Sequence, residues 1–322
     1  MLAGRELHVV SESAVLGAAA LILMVMILPG DSVVEERQDP QVNLERTLRI
    51  MESMEDAWET VTDYTAIIAK EERFRDGTVR SQRVLLKFRK PDDHYLAVRE
   101  GPNEGAELLY PTGDGNDLIL AHPGGFTGTV ARFLGRLPGI RRAVPEEFSI
   151  EDPRVFRGQH HTILDLNLGK MAGLISRAVR TAAEYGEGQI IVHPSEDVDG
   201  RPAEVLELLY PPDAGFMLTV QEGDTVFSVA RESGQDVFAI LYNNPEIGGA
   251  TDLRAGQRIF VPRYYAARAV VWIGYEPRLP LRMEIYDGQG RLYESYEHSE
   301  LAINIGLTDM DFDRGNPEYH FR

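Results

Sequence analysis

Apolar residues recur at helical spacing between Asn43 and Thr62, where Leu44, Leu48, Met51, Met54, Trp58 and Val61 share one face. That spacing predicts an amphipathic helix, with Asn43 placed to cap its start. After Thr62 the apolar period shortens to two. Runs at Tyr64 to Arg73, Val79 to Arg89, Tyr95 to Arg99, Glu107 to Tyr110 and Leu118 to His122 predict strands. A second helix is expected from Asn167 to Tyr185, with Leu168, Met171, Leu174, Ile175, Ala178 and Ala182 inward and Gly186 as its stop. Further strands are expected at Gln189 to Val192, Ala203 to Tyr210, Ala269 to Tyr275, Leu281 to Tyr286 and Leu292 to Tyr296. The dipeptides Asp76-Gly77, Asp114-Gly115, Asp199-Gly200 and Asp287-Gly288 punctuate these runs, as hairpin turns do. Strands joined by such turns pair antiparallel, not through helical crossovers.

The stretch Leu218 to Pro262 breaks this meander and carries its own complete pattern. Leu218 and Val220 alternate as a short strand, and Gly223 supplies the permissive backbone for a turn into a helix. Either Asp224 or Thr225 can cap that helix, since the oxygen of each can accept the free amides of its first turn. Val226, Val229 and Ala230 share one face, and Gly234 stops the helix. Asp236 caps a second helix containing Val237, Ile240 and Leu241, which Pro245 ends because the residue before a proline is forced out of helical backbone. Ile259 and Val261 then alternate as a closing strand before Pro262.

These marks, Gly223-Asp224-Thr225, Val229-Ala230, Asn243 to Pro245 and Gly256-Gln257 before the last strand, resemble the LysM domain, a βααβ unit that binds N-acetylglucosamine-containing glycans, above all bacterial peptidoglycan. Departures are small: Val226 and Val229 stand where that family often has leucine and isoleucine, and Phe227 where it often has tryptophan. The resemblance implies a shallow sugar groove with Gly223, Asp224, Thr225 and Val226 on one side and Asn243, Pro245, Glu246 and Ile247 on the other. Gly223, Asp224 and Asn243 are also ordinary turn and cap residues, and that plainer reading stands beside the functional one.

The flanking sequence has a resemblance of its own. Met54 to Arg73, Leu85 to Asp92, the run LPLRMEIYD from Leu279, NIGLTDMDFD from Asn304 and NPEY from Asn316 are similar to the bacterial family known as domain of unknown function 1571. The resemblance implies an architecture like the periplasmic lipoprotein-carrier fold, in which a half-open barrel shelters acyl chains. A shared fold does not transfer the ligand.

Composition narrows the partners. A net charge of −18 over 322 residues repels nucleic acid and anionic lipid headgroups at long range. The chain has no cysteine, which removes disulfides, thiolate metal sites, lipid attachment through cysteine and cysteine nucleophiles. Ala14 to Leu28 is uncharged and apolar, and reads as an uncleaved signal anchor in preference to a cleaved signal peptide or a buried helix. Asp31 to Pro40 is acidic and polar, as a linker should be.

Candidate catalytic sets are poor. Eight histidines are mostly isolated; His160-His161 with Asp165 is the closest approach to a metal site, and a solvated loop before a helix is the favoured reading. Glu146-Glu147, Glu151-Asp152 and Asp309 to Asp313 read as solvated or capping carboxylates, and no nucleophile elbow or phosphate loop occurs. Tyr264, Tyr265, Trp272 and Tyr275 are expected to gather where the chain returns from Pro262, either as a sugar platform or as packing for the small module onto the sheet.

The expectation is therefore an α+β fold: a curved antiparallel β-sheet, or half-open barrel, with helices, interrupted by a small βααβ module. Its expected parts are an N-terminal segment 1–30, a linker 31–42, a host domain 43–215 and 265–322, and the module 216–264. The expected activity is non-enzymatic binding of peptidoglycan or a chitin-like glycan in the cell envelope or periplasm, with membrane attachment through 14–28 and no metal, cofactor or nucleic acid. Two alternatives stay open: a lipid or lipoprotein carrier or sensor held at the wall, and a wall hydrolase with an unrecognised site.

Overall fold

Among the described residues one antiparallel sheet of eleven strands organises the fold, because alternating runs separated by tight turns leave most strands beside a sequence neighbour. The structure is a computed structural model and describes residues 40–111, 118–124, 146–152, 154 and 158–321. The expected anchor at 14–28 and the Asp114-Gly115 turn lie outside them. Among the described residues no helix is long and apolar enough to cross a membrane.

Helix α1 runs Pro40–Glu59, followed by β1 (Asp63–Arg73), β2 (Val79–Arg89), β3 (Asp93–Glu100), β4 (Glu107–Tyr110), β5 (Leu118–His122) and β6 (Glu146–Ser149). Helix α2 (Leu168–Tyr185) leads into β7 (Gln189–Val198) and β8 (Arg201–Leu209). The chain then leaves the sheet to form β9 (Gly215–Thr219), α3 (Val226–Ser233), α4 (Val237–Asn243) and β10 (Arg258–Pro262). It rejoins as β11 (Arg268–Gly274), β12 (Pro280–Tyr286) and β13 (Leu292–Ile303). The sheet order is β6-β5-β4-β3-β2-β1-β13-β12-β11-β8-β7, so β11 pairs directly with β8 across the excursion. Among the described residues, strands β9 and β10 pair only with each other, from Thr219 opposite Arg258 to Gly215 opposite Pro262. The large sheet is open, with β6 and β7 as its edges, and does not close into a barrel.

Pleating decides which residues meet the helices. Tyr64, Ala66 and Ile68 on β1, Val84, Leu86 and Phe88 on β2, and Leu96 and Val98 on β3 point to one face. There they join Ile50, Met51 and Met54 of α1 and Met171, Ile175 and Val179 of α2 in the main core. The opposite face of β3 to β5 carries Tyr95, Ala97, Leu109 and Leu120, and is covered by Phe312, Tyr319 and Phe321 from the C-terminal stretch. Tyr95 stacks on Tyr319 with ring centres 3.9 Å apart. The β7–β8 turn uses Asp199 and Gly200 at φ 53° and 75°, the left-handed pair that matches strand twist.

Several boundaries differ from expectation, and β7 continues six residues past the expected Val192 to Val198, paired with β8. α1 starts at Pro40, so Asn43 lies inside the helix; its buried amide donates to the Ile190 carbonyl of β7 at 3.3 Å and does not cap. β13 runs on to Ile303 because it pairs with β1 from Glu294 opposite Glu72 to Ile303 opposite Tyr64, a partner so distant in sequence that no local pattern announces it.

Candidate functional site

The module between β8 and β11 builds its first turn from its own residues. Gly223 adopts φ 90°, where a side chain would be strained, and turns the chain out of β9. The Asp224 carboxylate accepts the Gln221 amide at 2.7 Å. Of the two candidate caps, Thr225 holds the position: its hydroxyl accepts the Ser228 amide at 3.1 Å, and Ser228 Oγ accepts the Thr225 amide at 3.0 Å. This reciprocal capping box satisfies two otherwise free donors. Asp236 caps α4 by accepting the Phe238 and Ala239 amides at 2.6 and 3.1 Å. Val226, Val229, Ala230, Ile240, Ile247, Ile259 and Val261 close into a separate small core.

Both sides of the expected groove meet in this module. The Val226 amide donates to the Ala250 carbonyl at 2.8 Å, tying the turn before α3 to the loop after α4. Val226 and Ile247 are fully buried, so their side chains serve the core and face no ligand. Gly223, Asn243, Pro245 and Glu246 are exposed, and Asp224 and Thr225 are half-buried. The Asn243 side chain donates to the Ala239 carbonyl at 2.9 Å. Its neighbour Asn244, inside the Asn243 to Pro245 mark but not among the expected groove residues, is buried and holds the loop: its amide donates to the Ile240 and Phe260 carbonyls, each at 2.7 Å, and its oxygen accepts the Phe260 amide at 2.7 Å.

The large sheet grips this module through α4 and the loop after it. The Phe238 ring stacks on His160 at 3.7 Å and lies 5.7 Å from Tyr293, while the Tyr242 hydroxyl donates to Asp287 at 3.1 Å. From the β1–β2 turn, Arg75 donates to the carbonyls of Ile247 and Asn244 at 3.3 and 3.4 Å. Arg177 of α2 donates to the Gly234 carbonyl that ends the first helix.

His160 and His161 correct the expectation of a solvated loop: His160 is fully buried at 0% exposure and His161 is largely covered, at 11%. They converge on one carboxylate, Glu294 of β13. His160 Nδ1 lies 2.5 Å from Glu294 Oε1, His161 Nε2 lies 3.2 Å from Oε2, and the Tyr265 hydroxyl donates to the same group. Adjacent residues can both reach it because the segment is a turn, not a strand that would send them to opposite faces. On its other side His161 stands 3.9 Å from the Asp236 carboxylate of the module. Burial opposes its charge, yet the Glu294 and Asp236 carboxylates outweigh burial and raise its pKa. Burial likewise pushes Glu294 up, but the two histidines pull it below the ordinary carboxylate range. Asp236 is pushed up to about 6, since burial outweighs the attraction of His161. Among the described residues no cluster of three or more His, Asp or Glu is arranged to hold a metal.

The four aromatic residues after Pro262 do not gather into one group. Tyr264 stacks on Tyr210 at 4.3 Å, Tyr265 joins the Glu294 group, Trp272 donates to Glu196 at 2.8 Å, and Tyr275 is exposed beside Ser195. Their side chains diverge because Trp272 and Tyr275 belong to β11 and its end, whereas Tyr264 and Tyr265 precede that strand. Packing of the module falls to Phe238 and Tyr242 from its own second helix.

A second concavity lies on the helix-facing side of β2 to β6. Its volume is about 450 Å³, and Val84, Leu96, Val98, Leu108, Ile119 and Phe148 give it apolar walls. Gly158, Gln159, Ile163 and Leu166 close one side, so the segment that carries His160 and His161 also borders this cavity. Lys70 reaches its edge and is buried 3.3 Å from Glu72, which also accepts the Tyr296 hydroxyl at 2.8 Å.

The architecture is thus an open antiparallel α+β sheet carrying a small βααβ module. Residues 218–262 match the LysM domain model. Residues 61–216 and 253–321, more than half of the chain, match the model described as protein of unknown function DUF1571, and the chain belongs to that family. No match was found among curated proteins. Similar solved structures include a DUF1329 family protein from Desulfovibrio piger, at 15% identity over 85% of this chain and 98% of the other, TM-score 0.33. Another is the lipoprotein LppX of Mycobacterium tuberculosis, at 14% identity over 82% and 98%, TM-score 0.34. A LolA superfamily protein from Nitrosomonas europaea is similar at 11% identity over 82% and 96%, TM-score 0.27.

Proposed function

We propose that this chain is a non-enzymatic protein of the bacterial cell envelope that binds N-acetylglucosamine-containing glycan, peptidoglycan above all, through residues 216–264. The LysM match at 218–262 is the observation that carries this reading. The groove is assigned to Gly223, Asp224, Thr225 and Val226 facing Asn243, Pro245, Glu246 and Ile247. In this assignment Val226 and Ile247 contribute backbone, and the exposed Gly223, Asn243, Pro245 and Glu246 contribute the surface. The host is assigned to 43–215 and 265–322, with 1–30 as the exported or anchoring segment and 31–42 as a linker. Co-sedimentation of the whole chain with purified insoluble peptidoglycan tests the proposal. Binding that survives deletion of 218–262 would sink it, and release of soluble muropeptides would replace it with a hydrolase.

The host cavity favours a second role as a lipid or lipoprotein carrier positioned by the module. A 450 Å³ space with mainly apolar walls is in the range of small-ligand sites. Native mass spectrometry after extraction from membranes should show a retained lipid; a protein that purifies empty and takes up no fatty acid speaks against this role.

A further inference from the structure

We propose that Arg75, in the host turn between β1 and β2, is a positioning residue for the glycan groove, holding the wall formed by residues 243–247. This rests on the glycan-binding reading of the module and extends the site to a residue outside it.

The two walls are held in different ways. The wall at 223–226 is fixed inside the module by the capping box of Thr225 and Ser228 and by Asp224 on Gln221. The wall at 243–247 follows a helix end, where backbone carbonyls lack helical partners. Asn244 anchors it to β10 through its side chain, and Arg75 donates to the Asn244 and Ile247 carbonyls from the outside. The Asn244 carbonyl also accepts the Ile247 amide at 3.0 Å, so one guanidinium bridges both ends of that turn. A planar fork can reach two carbonyls at once, whereas a lysine ammonium is a single point of charge. Arg75 is itself presented by a stiff turn: the Phe74 amide donates to the Thr78 carbonyl at 2.8 Å, and the Thr78 amide donates to the Asp76 carboxylate at 2.9 Å. The Glu246 carboxylate on the same loop adds attraction. A module of this size sits near the lower limit for independent folding, so an external brace on its loop matters.

Arg75→Ala and Arg75→Lys in the whole chain test this. Titration with a chito-oligosaccharide should show affinity about fivefold weaker for R75A, as expected on losing charge-assisted hydrogen bonds. R75K should recover part of that loss. Hydrogen exchange at the Ile247 amide should speed up in R75A, while the amides of α3 and the host sheet keep their protection, which separates loss of positioning from loss of fold. The inference is overturned if the unsubstituted chain binds the sugar and R75A binds equally well, or if R75A weakens only by unfolding the module as a whole. Failure of the unsubstituted chain to bind would instead remove the glycan reading, and this inference with it.

Discussion

The two helices of the module are nearly equal in length but are stabilised from different directions. α3 is closed chiefly by its own sequence: Thr225 and Ser228 cap its start, Gly234 ends it, and Val226, Val229 and Ala230 pack into the module core, while its host contacts are the surface pairs of Arg177 with the Gly234 carbonyl and Arg231 with Glu151. α4 has a cap of the same kind, Asp236, but Phe238, Tyr242 and Asp236 itself face the host, where they meet His160, Asp287 and His161. Damage to α3 should therefore stay local, while damage at the α4 contact should be felt in the host as well. These contacts fix the orientation of the module on the host, which a module tethered by a flexible tail would lack.

The largest expected effect comes from the host side of that contact. Replacing His161 by Ala leaves Glu294 buried with one histidine fewer, and removal of one member of a buried charged group typically costs about 3 kcal/mol or more. Denaturant unfolding should show that loss, with exchange protection falling in both α4 and β13. A loss below about 1 kcal/mol would mean that His161 is not charged there. Next, Val229→Ala should cost about 2 kcal/mol through lost packing, with faster exchange confined to 215–262. Equal loosening of the host sheet by this substitution would erase the distinction between the helices.

Thr225→Ala should cost about 1 kcal/mol by freeing the amides of the capping box, again within the module. A last expected effect concerns pH. The folded pKa of Asp236 is raised to about 6 from an ordinary 3.8, chiefly by burial. The stability this group contributes is thus present below its ordinary value and is lost as pH rises through about 6. Glu294 acts in the opposite sense: its folded value is lowered, so its contribution is present at neutral pH and is lost only in strong acid. Asp236→Asn keeps a good cap and removes the charge, so the fall in stability between about pH 4 and pH 6 should flatten. An unchanged pH profile would place the titration elsewhere.

Strands β2, β4 and β5 run between the residues that the alternating pattern names, and α2 differs by one residue because Asn167 caps it instead of starting it. Such elements are legible because each is encoded by its own period and its own turns. The turn at Gly223 and the cap at Thr225 were legible for the same reason, as local backbone signals. Arg75, His160, His161 and Glu294 were not. Arg75 contacts Ile247 172 positions away, and His161 contacts Glu294 across 133 positions. No spacing rule joins residues that far apart, and a lone arginine in a turn or a histidine pair before a helix reads as solvated.

By itself the sequence determined the helices, most strands, the antiparallel turns and the existence of a self-contained βααβ unit, because those depend on contacts within a few residues. Only the tertiary structure decided that the sheet stays open, that β13 reaches back to pair with β1, and that the module is held by its second helix. Those outcomes depend on which distant surfaces fit once the strands are in place. A buried carboxylate such as Glu294 must find its donors wherever the fold brings them, and here the fold brings them from the turn before α2 and from the return to β11.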